Sequence, residues 1–356
     1  MRFPLLPHAL KFSRRFLPSG LAGLLGLMPV AASAQDHYTN YPEAGGPITG
    51  GDWNFGNDSL FANSSAGVSG GTQRFYLGQL SASVANAVIG GQQSFYNDSQ
   101  LLASATHSLT STDGLSGANV FLYDTSSATA EALDSFGTGA SLTFGGGSGG
   151  WTGYSQRLNL NGYDTTIGTI TSIGTNGFVI NTGSQAAQLT VRSGSFAGVI
   201  TDNGTEAISL VKAGPGTFTL SSGATQSYTI YNSSIPGTTT TPKQHDYRGG
   251  TTINGGTLMV TNTTGSATGT GNVIVNAGGT LAGTGIISGA VDVSGTLAPG
   301  INAVGTLTTG AQTWQSGGRY NWDISALASS PGTNSDLLTI NGALTVNSGT
   351  SGNDRF

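Results

Sequence analysis

Residues 210–224 read LVKAGPGTFTLSSGA and residues 247–260 read YRGGTTINGGTLMV. Each carries a Gly-Thr-apolar triplet, Gly216-Thr217-Phe218 and Gly256-Thr257-Leu258. The triplet returns at Gly279-Thr280-Leu281, Gly295-Thr296-Leu297 and Gly305-Thr306-Leu307. Around them run short alternating segments that end on asparagine: Leu158-Asn159-Leu160-Asn161, Phe178-Val179-Ile180-Asn181, Val273-Ile274-Val275-Asn276, Leu338-Thr339-Ile340-Asn341 and Leu344-Thr345-Val346-Asn347. Alternation with a period of two marks half-buried strands. Asparagine tolerates the left-handed backbone of a sharp corner, and glycine tolerates it better. Strands this short are unstable as isolated hairpins. Stacked coil on coil they bury one face and pair their edges, which is the physics of a solenoid. The alternation points Leu258, Val260, Val273, Val275, Leu281, Val291, Val293 and Leu297 inward, with Thr261 exposed.

The two quoted stretches resemble the autotransporter-associated β-strand repeat, which reads L-x-K-x-G-x-G-x-L-x-L-x-G-A and then Y-x-G-G-T-x-(I/V)-x-x-G-x-L-x-V. The following VNAGGTLAGTGIISGAVDVSGTLAPG is similar to the usual continuation in such passengers. The resemblance runs from about Ser141 to Val346, with its core at 210–260. It implies an all-β fold, a right-handed parallel β-helix (β-solenoid), at the cell surface or secreted, and it brings no catalytic residues. The chain departs from the pattern by an insertion at 225–246. This contains Thr238 to Pro242, then Lys243, Gln244, His245 and Asp246, and is read as a loop on a regular scaffold.

Upstream lies a different repeat. Gly50-Gly51, Gly70-Gly71 and Gly90-Gly91 are spaced 20 residues apart, with Phe55, Phe75 and Phe95 in step behind them. Leu60 and Leu80 share a register and Leu101 is one step out. A degenerate copy begins at Gly117 with Phe121, Leu122 and Tyr123. A fixed period of this length signals stacked units. The copies GGTQRFYLGQLSASVANAVI and GGQQSFYNDSQLLASATHSL are similar to the GG-x-Q repeats of diffuse-adherence adhesin passengers. Leu80, Val84, Ala87 and Val88 also fit helical spacing; the flanking glycines favour strands.

The N-terminus reads as a cleavable signal peptide over 1–34. Arg2, Lys11, Arg14 and Arg15 lead, Phe16 to Val30 is apolar, and Ala32-Ser33-Ala34 gives an A-x-A cleavage site before Gln35. Ser13-Arg14-Arg15 loosely resembles a twin-arginine signal; plain Sec export is the preferred reading. The 356 residues hold 12 basic and 17 acidic side chains. Cleavage removes four of the basic ones and none of the acidic, leaving a charge of −9. That argues against nucleic acid or an anionic membrane as partner. Charged residues are only 8%, glycines number 58 and cysteine is absent, so packing and backbone hydrogen bonds must hold an exported chain together.

Four histidines, His8, His37, His107 and His245, are scattered, without the spacing of a metal site. G-x-S-x-G occurs at Gly67 to Gly71 and Gly146 to Gly150, in a chain so rich in glycine and serine that chance supplies a match. Over Ser266 to Gly310, Asp292 is the only charged side chain; Asp323 lies further on. Trp53, Phe55, Tyr76, Tyr96, Trp151 and Tyr154 concentrate the aromatics early, where a stacked core accounts for them better than a sugar-binding surface. No catalytic, cofactor or metal residue is assigned.

The organisation read from the sequence is a signal peptide (1–34), coils of about 20 residues (35–140), a β-helix (141–310) and further β coils (311–356). About 16 coils at the strand spacing give a rod on the order of 75 Å. The expected function is a non-catalytic, surface-exposed or secreted structural passenger or stalk. The alternative is an adhesin that binds a glycan or another cell through side loops, and a polysaccharide-active β-helix enzyme ranks third. Expected are no cofactor, no nucleic acid, no membrane span in the mature chain, and export to the cell surface, the outer membrane or the medium. Passengers of this kind continue into a translocation barrel or sorting tail. The chain ends at NSGTSGNDRF without one, and so reads as truncated.

Overall fold

The computed structural model describes strands between Ile48 and Ala130 chiefly by their backbone. It describes residues 136–145 and 156–347 in fuller detail, apart from 176, 203–205, 223–225, 229–240, 244 and 328–329. Residues 1–34, read above as a signal peptide, His37, His107, Gly146 to Gly150, Trp151, Tyr154 and the final residues 348–356 lie outside this description.

The regular structure described is all β, dominated by a large parallel sheet curled through 306° and consistent with a β-solenoid. Three ladders wind in the same order through each coil. On face one the inward residues are Leu189, Leu210, Thr251, Val273, Val291 and Gln312 in one column, and Val191, Lys212, Ile253, Val275, Val293 and Trp314 in the next. All twelve are buried. Face two stacks Leu142, Ile170, Gly194, Phe218, Leu258, Leu281, Leu297 and Tyr320. On face three the ladder register aligns Leu60, Leu80, Leu101, Ala128, Leu158, Val179 and Ile200.

The eight positions expected to point inward do so, each with at most 1% of its surface exposed. β-branched and leucine side chains suit this pleated, closely stacked interior. Thr261, expected to be exposed, is only half-buried. Strands at Gln79–Ala82 and Val88–Ile89 replace the helical alternative for that stretch. In the degenerate fourth copy, Leu122 takes the register of Phe95 and Phe121 stands beside Ser94. Leu101 pairs with Leu80, so its extra step in sequence is absorbed before the strand begins.

Of the asparagines that end the alternating segments, Asn161 takes the left-handed backbone expected of it, and the others do a different job. Among described non-glycine residues only Asn161 and Asn302 have positive φ, 53° and 54°. Asn181 instead uses its side chain as a corner clamp. Its Oδ1 accepts from Gly162 N (2.8 Å) and Gly183 N (3.1 Å), and its Nδ2 donates to Gln185 O (2.8 Å) and Glu206 O (3.3 Å). Asn262 does the same between its own turn and the next coil, donating to Ile286 O (3.0 Å) and accepting from Ile286 N (2.8 Å). Asn276 Nδ2 donates to Asn254 Oδ1 one coil away (2.7 Å). Buried at 0% and 1%, Asn181 and Asn262 satisfy backbone groups that a sharp corner leaves without partners.

From the strand Gly137–Phe144 onward, the three corners are unequal. Connections between faces one and two, and between faces three and one, run to six residues or fewer. The corner between faces two and three carries 145–155, 221–244 and 321–336, each of at least eleven residues. The long connections therefore all leave from one edge.

Candidate functional site

Two polar constructions stand out in the stack. The first is Lys212, the lysine of the first quoted stretch, inward between Val191 and Ile253. Its side chain is fully buried, and its Nζ donates to Ala213 O (2.8 Å), Gly214 O (2.9 Å) and Gly255 O (2.9 Å). Burial, and secondarily the nearby Arg192, lower its pKa to about 8. The ammonium fills all three donor positions on carbonyls at the corner between faces one and two, on two successive coils. It therefore cross-links the stack. Lys212→Met keeps the stem and loses the donors, and is expected to cost about 1–3 kcal/mol in chemical denaturation. An unchanged midpoint would show that the carbonyls find water equally well.

The second construction surrounds the base of the 221–244 connection, where the sequence places its insertion. The insertion is not a loop as far as 246. Gln226–Tyr228 pairs antiparallel with Thr241–Lys243, and the chain has rejoined the stack by His245, which is only 3% exposed. Asp246 N donates to Ile200 O (3.3 Å), in the ordinary manner of a ladder. Ile200 N, however, donates to His245 Nδ1 (3.0 Å). A side-chain nitrogen stands where the next coil's carbonyl normally would.

Tyr247, fully buried, follows with its hydroxyl against Thr251 Oγ1 (2.7 Å), and its ring meets His245 edge-on at 6.3 Å. Burial, opposed by the Thr251 bond and reinforced by Asp202, raises the Tyr247 pKa far above its usual value. Asp202 closes the corner. Its carboxylate accepts from Ile208 N (2.6 Å), Arg248 N (2.9 Å) and Arg248 Nε (2.8 Å). The buried acid and the half-exposed arginine thus tie the two sides of the insertion together across 46 residues.

Ser222, His245 and Asp246 put a hydroxyl, an imidazole and a carboxylate beside the ends of the insertion, a set the sequence reading did not single out. Ser222 Oγ and His245 Nε2 are buried, and neither makes a hydrogen bond. A nucleophilic triad needs Nε2 to take the serine proton while a carboxylate holds Nδ1–H. Here Nδ1 is the acceptor, so the neutral ring carries its proton on Nε2, the tautomer that cannot act as base toward serine. This geometry is structural.

Asp292 points outward on face one and accepts from Gln315 Nε2 (3.0 Å); Asp323 is exposed on the 321–336 connection. They stand on different parts of the coil and form no pair. Of the two G-x-S-x-G serines, Ser69 lies in a parallel strand, Val68–Ser69, rather than at a strand-to-helix turn. Among the described residues, no group of three or more His, Cys, Asp or Glu side chains is placed to hold a metal, and no helix is long and apolar enough to cross a membrane. The polar residues built into the interior (Lys212, Asp202, His245, Thr251 and Gln312) each serve the backbone or a neighbouring side chain. No family model matches the chain, and no curated protein matches it.

On the 321–336 connection, Trp322, Ile324 and Leu327 are 53%, 51% and 98% exposed. Trp322 is nonetheless held in place, its Nε1 donating to Asp336 O (2.9 Å). Asp336, 5% exposed, accepts from Gly305 N (2.8 Å) and Asp323 N (2.9 Å) and so anchors the connection to the stack. Ile173 and Ile301, exposed at 69% and 38%, belong to the same corner.

Proposed function

We propose that this chain is a non-catalytic scaffold of the autotransporter-passenger type, a right-handed parallel β-helix exported to the cell surface or released, which carries side connections outward from one edge. The observation that carries this reading is the crowding of 145–155, 221–244 and 321–336 at a single corner. A regular stack supplies rigidity, and loops positioned by a rigid scaffold are where proteins place contacts. The net charge of −9 after removal of 1–34 suits a soluble display surface with no taste for polyanions.

A second reading, an adhesin contacting a glycan or a neighbouring cell, draws on Trp322, Ile324 and Leu327. An aromatic and two aliphatic side chains held out at one corner exceed the scattered exposure that needs no explanation.

The two readings separate on two changes made together: replacement of 223–244 by a short Gly-Ser turn, keeping Ser222 and His245, and Ile324→Ser with Leu327→Ser on the exposed 321–336 connection. The scaffold reading expects an unchanged β-rich circular dichroism spectrum, a stability change of about 1 kcal/mol or less, and unchanged binding of cells or glycan arrays. Binding lost on an intact fold replaces the scaffold by the adhesin. A replacement extended through Asp246 is expected to destabilise far more, because it removes the buried His245 and its bond to Ile200.

A further inference from the structure

We infer that His245 is an acid-operated latch where the chain rejoins face three: protonation turns the acceptor of the Ile200 N–H into a donor and frees residues 245–247 from that face. The inference stands on geometry and is independent of what the chain does. Ile200 N and His245 Nδ1 are 3.0 Å apart, and a backbone N–H is only ever a donor. A proton on Nδ1 sets two donors head to head at that distance. Its Nε2 is buried and makes no hydrogen bond with any described residue. The cation has no bonded partner among the described residues, and it gains water by leaving.

Among the described residues the surroundings offer no compensation. The strand Val199–Thr201, to which His245 is bonded, brings no charge. Asp202 is occupied by Ile208 N and by Arg248, itself a cation. Tyr247 is neutral and edge-on. Asp246 is the adjoining acid, and it departs together with His245. Burial accordingly lowers the imidazole pKa from 6.5 to about 4.

The sign follows from that lowering. The opened segment takes up its proton below about pH 6.5, while the closed one resists until about pH 4. The latch is thus fully closed above pH 6.5 and weakens as pH falls through that window. With those two values, the closed-to-open ratio drops about a hundredfold between pH 7 and pH 4.

Amide hydrogen exchange on the full chain, corrected for the intrinsic pH dependence, reads this directly. The protection of the Ile200 amide is expected to fall about a hundredfold from pH 7 to pH 4. At pH 4 it is expected to stay below that of Val273, whose amide donates to Ala290 O deep in the stack. His245→Gln, which presents an acceptor at every pH, should remove the pH dependence. Three results overturn the latch: no pH effect, the same effect in the glutamine variant, or equal protection at Ile200 and Val273, which means whole-molecule unfolding. Should the variant not fold, the wild-type ring decides by its own titration in an NMR experiment. A midpoint below pH 5 is expected, and one near 6.5 overturns the proposal.

Discussion

Val275→Asp is expected to cost about 4 kcal/mol or more, enough to unfold the coils on either side of it. Val275 is fully buried in the inward column between Ile253 and Val293. A carboxylate there must either stay charged without a partner or hold its proton at neutral pH, and both options are expensive. The nearest cation in the column, Lys212, stands two rungs away, about 10 Å at the spacing of paired strands. Its donors already serve three carbonyls. Thr263→Asp, on an exposed turn, is expected to stay within about 0.5 kcal/mol. Urea denaturation of the two variants checks this. Equal losses would mean that the inward register is misassigned.

Gly194→Val is expected to be as damaging, for a reason of backbone rather than burial. The strand Ala187–Phe196 serves two faces, pairing through Leu189 and Val191 on face one and through Gly194 to Phe196 on face two. It turns the corner at Gly194 with φ of +125°, and a β-carbon there would overlap Ile170 O. The obstacle is main chain of the preceding coil and cannot rotate aside. Strain of the φ alone costs about 1–3 kcal/mol, and the overlap pushes two coils apart besides. Gly174→Ala is the control. Its φ is unremarkable and its β-carbon finds open space, so thermal denaturation should register almost no change.

What the sequence discloses about this fold is whatever depends on a period of two. Leu258, Val260, Val273 and Val275 could be pointed inward because alternation needs no knowledge of the partner strand. The same rule contained Lys212, which alternates with Leu210, though a lysine is seldom read as an inward residue. Thr251 and Gln312 hid for that reason too: each is inward and polar, satisfied by Tyr247 in one case and by Thr309 and Trp314 in the other.

The clamp made by Asn181 escaped the sequence reading because two of its partners, Gly162 and Glu206, lie on neighbouring coils, 19 and 25 residues away, where a local turn argument cannot reach. The end of the insertion was misplaced at 246 on the same account. His245 is secured by Ile200, 45 residues earlier, and nothing near His245 in sequence announces it. The single corner that bears the long connections was equally illegible, since strand patterns show where a coil breaks but not which face comes next.

The ladder register also bears on the speed of assembly. Along face one, successive partners such as Leu189 and Leu210, Thr251 and Val273, or Val291 and Gln312 are about one coil apart in sequence. That separation does not grow as coils are added, so relative contact order falls with length, unlike that of a sandwich or a closed barrel. Once one coil is formed, each new one has only its own short circuit to close. The step from Leu210 to Thr251 has the longest circuit on this face, nearly doubled by the insertion, ahead of the step from Gln312 to Leu344. Doubling a closure costs about 0.6 kcal/mol more, a modest barrier at the point where an advancing fold must wait longest for a distant segment to return.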